Sequence, residues 1–196
     1  MYSHEQVAGV KKVCTIEKTE SSQISVGTNA LRIGNTIDTT INMFTTTPPL
    51  LYGDNRNITL GPHNASYDGI WNALKKSKIE INKAHVINYS KPILVNTKPN
   101  SFVLQTPHDF RKCTLPNVGN ESTLLLAPEE FIEQLNNEKK IMVSLQKKIK
   151  DAQLNDEQLN QLHQAIQGNF KDWLIKCPQF KSMIEFIKLI DQSKTE

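Results

Sequence analysis

Residues capable of chemistry are scattered along this chain. Cys14, Cys113 and Cys177, with five histidines, supply the parts of a thiol nucleophile and its base. Cys14, His85 and a later polar residue such as Ser101 follow the order of a cysteine hydrolase: thiol, imidazole, orienting group. Cys14, however, lies in VKKVCTIE, a strand pattern, not at a helix start that would favour its thiolate. His63, His85, His108 and Cys113 lack the close pairing of zinc ligands. Neither a GxxxxGK[ST] nor a GxGxxG loop occurs. Glu129-Glu130 and Asp156-Glu157 read as first-turn carboxylates of helices, not as an acid–base pair. No catalytic residue, metal or cofactor is expected from these patterns.

A basic and aromatic segment is more suggestive. Lys75 to Lys112 holds eight basic and two acidic residues in a chain whose net charge is only +3. Within and beside NTKPNSFVLQTPHDFRKC, the residues Lys83, Tyr89, Lys91, Lys98, Phe110, Arg111 and Lys112 interleave cations with rings. Cations along a groove with rings for base stacking are what single-stranded nucleic acid requires. These seven are the expected nucleic-acid-binding residues, with Phe102 and His108 beside them.

Such a surface needs a scaffold. Seven of the eight glycines and seven of the nine prolines precede residue 127, so the first part is punctuated like β structure. Strands are expected at 10–17, 23–26, 29–33 and 36–44, where TIDTTINMF places Ile37, Thr39, Ile41 and Met43 on one face. TTTPPLLYGDNRN reads as a long loop with an apolar tip at Pro48–Tyr52, and a short strand follows at 57–60. A helix is expected at 66–76, capped by Ser66, with Ile70, Trp71 and Leu74 as its apolar stripe. Strands are read at 78–81 and 85–89. PILVN and SFVLQ, joined by Thr-Lys-Pro-Asn, have the form of a hairpin. One more strand is expected at 123–126. From Ala127-Pro128-Glu129-Glu130 the pattern turns helical, with helices at 155–167, stopped by Gly168, and at 180–191. Residues 139–149 fit strand or helix. No internal repeat is evident. The expected fold is α+β: an antiparallel sheet or OB-like barrel over 1–126 with one inserted helix, and a helical part over 127–196 packed on it as one globular unit.

KPILVNTKPNSFVLQTP, with Phe102-Val103-Leu104-Gln105-Thr106-Pro107 at its end, and the later FKSMIEFIKLIDQ resemble single-stranded-DNA-binding proteins of large DNA viruses. That resemblance implies an OB-like core closed by a late helix. The leading expectation is therefore a non-enzymatic protein that binds single-stranded nucleic acid. The alternative is a viral structural, assembly or complex-subunit protein acting through protein contacts, which the mild charge and the apolar tip at Pro48–Tyr52 suit. A hydrolase using Cys14 and His85 is the third reading. Odd, unpaired cysteines and the absence of an apolar leader suggest an intracellular setting, the host cytoplasm or a virion if the chain is viral. No membrane partner is expected, since no run reaches the ~20 apolar residues of a span.

Overall fold

The computed structural model describes residues 3–66, 69–114 and 126–176. The chain divides into two compact units, residues 1–139 and 140–196. The first is built on β1 (Ser3–Glu17), β2 (Ser22–Gly34), β3 (Thr40–Thr45), β4 (Leu50–Tyr52) and β5 (Ile58–Pro62). These are followed by β6 (Ala65–Ser66), α1 (Ile70–Lys76), a 3-10 helix (Lys83–Ser90), β7 (Ile93–Val95), β8 (Phe102–Leu104) and β9 (Cys113–Thr114). Helix α2 (Glu129–Asp151) begins in this unit and α3 (Asp156–Lys176) lies in the second.

All described strand pairs are parallel, and the sheet is curled. Ile24, Ile41 and Leu60 stand in register, as do Ile16, Ile33 and Leu51, so each coil advances 17 to 19 residues. The two halves of β2 serve different walls: residues 23–28 pair with β3, and 32–34 with β4. This corrects the expected antiparallel or OB-like core. It also corrects the absence of a repeat.

Two corners make the coil. Glu17, Gly34, Tyr52 and Val95 are in register, and the residue after each has a left-handed backbone: Lys18, Asn35, Gly53 and Asn96, with φ of 54°, 50°, 71° and 51°. A second such column holds Ser21, Asp38 and Asn57. Left-handed conformations cost an ordinary residue about 1–2 kcal/mol, so the stacked coils must repay them. Part of the return is visible in side chains that bond across coils. Asn57 donates to Asp38 Oδ1 at 2.6 Å, Asn35 Oδ1 accepts from the Asp54 amide at 3.1 Å, and Asn55 Oδ1 from the Thr36 amide at 3.1 Å.

Inside the coil lie Ile24, Val26, Leu31, Ile33, Ile41, Met43, Leu51, Ile58 and Leu60, all buried. Tyr89, Phe110 and Phe131 join this cluster, with Phe131 edge-on to the other two rings at 6.2 and 5.2 Å. A second cluster of Phe44, Ile70, Leu74, Ile79 and Leu126 covers an outer face of β3. Both faces of β3 are therefore buried, and Asn42 is as inaccessible as Ile41.

The segment after β8 closes over a polar column. Gln105 occupies the space that Gly61 leaves by lacking a side chain, and its Oε1 accepts from Asn42 Nδ2 at 2.8 Å. Asn64 accepts from Ser25 at 2.8 Å and donates to the Arg111 carbonyl at 3.0 Å. Most buried polar groups are bonded, and these hydrogen bonds from Asn42 and Asn64 tie the strap down, although Asn42 Oδ1 itself finds no partner among the described residues.

Local expectations fare unevenly. The hairpin of PILVN and SFVLQ does not form: β7 pairs with β4 and β8 with β5. The run expected as a loop contains β4, with Leu51 buried, so Pro48–Tyr52 is not an exposed tip. Residues 85–89 lie in the 3-10 helix, Ser66 belongs to β6, and α1 starts at Ile70 after Gly69 (φ 91°). Helix α2 runs through residues 139–149, and α3 continues past Gly168. Most of the strand expected at 123–126, and all of the helix expected at 180–191, lie outside the described residues.

Two measurements test this construction. Ser21→Val, a branched side chain forced to positive φ, is expected to lower unfolding free energy by about 1 kcal/mol or more, whereas Ser21→Gly is not. Urea unfolding of the two variants decides it. His63 is buried, its Nδ1 has no hydrogen-bond partner among the described residues, and burial lowers its pKa to about 4. The unfolded imidazole titrates near the ordinary ~6.5. Acidification from there to about pH 4 protonates the unfolded chain first, so stability should fall by roughly 3 kcal/mol across that window. A His63→Gln variant should lose that part of the pH dependence.

Candidate protein-interaction face

Among the residues expected to bind nucleic acid, the two rings are buried. Tyr89 is 6% exposed and Phe110 is fully buried, so neither ring is available for a base. Their polar sequence neighbours suggested exposure, but both rings pack on Phe131. Arg111 is a staple: its Nη1 donates to the carbonyls of His108 at 2.6 Å and Phe110 at 2.8 Å, and reaches Glu138 at 3.4 Å. Lys112 is half-buried, Lys83 and Lys91 are exposed at the two ends of the 3-10 helix, and Lys98 is exposed in the turn before β8.

The thiol–imidazole pair fares no better. Cys14 packs at the edge of the first core cluster and burial pushes its thiol pKa up, which suppresses the nucleophilic thiolate. His85 packs on Phe44, of the second cluster, with ring centroids 6.5 Å apart. Cys177 lies outside the described residues.

A different face is built by the coil itself. Along the second half of β2, Leu31 and Ile33 point inward and are buried, so Arg32 between them points out. In register with Arg32 are Thr15, Leu50 and Ile93; the column beside it is Glu17, Gly34, Tyr52 and Val95. These side chains share the outer wall of β1, β2, β4 and β7. Gly34 matters here because any Cβ at that position would collide with the Tyr52 ring. The bare glycine lets the ring lie against the strand, and the Arg32 guanidinium stands 5.2 Å from its centroid. This cation–π contact orients an exposed arginine that has no carboxylate partner among the described residues. Val13, Ile93 and Val95 leave apolar surface on the same wall, at 51%, 53% and 44% exposure. An aromatic-backed arginine ringed by exposed aliphatic residues is the composition of a protein contact.

The matched region takes in the β1, β2 and β4 parts of that wall and ends just before β7. Residues 6–92 match the family model of tubulin binding cofactor C. Curated relatives carry a related name. TBCC domain-containing protein 1 of Danio rerio is 26% identical over 173 residues, covering 84% of this chain and 29% of that protein. Its Bos taurus counterpart is 26% identical over 152 residues, covering 74% and 27%. The Xenopus tropicalis protein is 27% identical over 180 residues, covering 85% and 31%. The chain thus spans less than a third of the length of these relatives. No solved structure matches it. These likenesses overturn the viral single-stranded-DNA-binding resemblance and, with the buried rings, the nucleic-acid function drawn from it. The alternative of a complex-subunit protein working through protein contacts agrees with them better.

Sequence reading missed Arg32, Gly34 and Tyr52. The one available signal was ALRIG, where a charge interrupts an otherwise apolar run at period two. A Gly34→Ala substitution should cost about 1–3 kcal/mol by crowding the Tyr52 ring, and close to nothing when Tyr52→Ala is already present. Denaturation of the two single variants and the double variant measures that coupling.

Proposed function

We propose that this chain is a protein-interaction module of the tubulin-binding-cofactor-C kind, which docks a folded partner of the tubulin class on the outer wall around Arg32. The observation that carries this reading is the family match over residues 6–92, the stretch that supplies Arg32, Gly34 and Tyr52. The wall suits the task. Its side chains rise from hydrogen-bonded rungs, so little conformational entropy is lost on binding. The guanidinium held over Tyr52 offers its donors to a carboxylate on the partner, and Ile93 and Val95 supply apolar contact around it.

Among the described residues no helix is long and apolar enough to cross a membrane. Cys14 and Cys113 are not joined in a disulfide. Reduced thiols fit an intracellular setting, where a tubulin-like partner resides.

Titration of the fluorescently labelled chain with purified tubulin tests the proposal. Arg32→Ala should weaken binding about 30-fold, a hot-spot effect of about 2 kcal/mol, while leaving the unfolding midpoint unchanged. Ile93→Asp should weaken it as well. No saturable binding by the parent chain, or equal binding by both variants, overturns the reading.

A further inference from the structure

The second unit carries a surface that the Arg32 wall does not use. From Lys140 to Lys150 helix α2 reads KIMVSLQKKIK, with four lysines and no acidic residue. At about 100° per residue, Ile141, Met142, Leu145 and Ile149 occupy one arc of roughly a quarter-turn or more, and the four lysines lie on the other side with Val143, Ser144 and Gln146 among them. The arc is open: Ile141 is 67% exposed, Met142 57% and Leu145 51%. A shallow groove lined by Lys140, Ile141, Ser144, Leu145 and Lys148 puts ammonium groups at the rim of the apolar strip. Helix α3, in the same unit, also leaves Phe170 and Trp173 more than half exposed, stacked with centroids 5.8 Å apart.

We propose that the Lys140–Lys150 stretch of α2 docks on an anionic lipid surface, lying in its plane. Charge selects this occupant. A second copy of the helix would bring lysine rows together with no acid between residues 140 and 150 to offset them. A partner offering only carboxylates would satisfy the lysines and leave the aliphatic arc in water. A bilayer with negative headgroups takes both: the arc enters the headgroup–acyl boundary, and the flanking lysines extend along it to the phosphates. The absence of an apolar span bears only on crossing, and a helix in the interface plane needs none.

Flotation of the full chain with vesicles of phosphatidylcholine, alone or mixed with phosphatidylserine, tests this. Binding is expected only to the phosphatidylserine vesicles and should decline with added salt. The pair Lys147→Glu and Lys148→Glu should lower the vesicle partition coefficient about tenfold or more, as should Ile141→Asp with Leu145→Asp. These sites are exposed, so circular dichroism of the variants should match the parent. Arg32→Ala should bind vesicles normally, which separates this inference from the tubulin reading. Equal binding to neutral vesicles, unaltered partition of both double variants, or no vesicle binding at all overturns it. So does either of two outcomes in the absence of lipid binding: a dimer in sedimentation equilibrium that Ile141→Asp dissociates, or capture of a polyglutamate peptide through Lys147 and Lys148.

Discussion

The first unit depends on one backbone constraint: the chain must turn twice per coil through left-handed conformations, at equivalent places, to stay in parallel register. The column Lys18, Asn35, Gly53 and Asn96 and the column Ser21, Asp38 and Asn57 meet it. Everything else is positioned by that spacing. It brings Ile24 over Ile41 and Leu60 inside, and Arg32 beside Leu50 and Tyr52 outside. An error of one residue at a corner would exchange those two sets, because side chains alternate faces along a strand. The corner amide bonds, Asn57 to Asp38 and Asp54 to Asn35, hold that phase together with the buried apolar columns.

What the sequence could disclose follows from the same geometry. The strands at 10–17, 23–33, 40–44 and 58–60 were legible, because β-branched residues and period two mark a strand whichever way its neighbour runs. Those expected at 78–81 and 85–89 do not form, and β4 reads locally as loop. Direction was not. PILVN and SFVLQ carry a good turn between them, yet each finds a partner more than forty residues back, on β4 and β5. The repeat was hidden because the recurring quantity is a torsion angle. Lysine, asparagine and glycine at one corner share a positive φ and little else. Helices fared better: the proline and acids before Phe131 marked the start of α2 correctly, since capping is written within one turn. Gly168 misled because helix propensity is a weak prior, and one glycine costs only about 1 kcal/mol.

The candidate site illustrates the same limit. Tyr89 and Phe110 sit among polar and charged neighbours, and a local reading assigns them to solvent. Their environment is instead set by Phe131, which reaches them from α2. The exposed face emerged only once Leu31 and Ile33 were seen to occupy the interior. Arg32 then had one direction left. Burial of its neighbours, more than any property of the arginine, identifies it.

Between Pro62 at the end of β5 and Ile93 at the start of β7 the chain leaves the main sheet for about thirty residues, builds α1 and the 3-10 helix, and returns to pair with β4 without losing phase. The closing entropy of such an excursion grows only as the logarithm of its length. A coil of this kind therefore separates inheritance of scaffold from inheritance of decoration. Rungs are fixed by their neighbours, whereas material spliced in at a corner is free to drift, lengthen and acquire new binding partners while the frame beneath it stays the same.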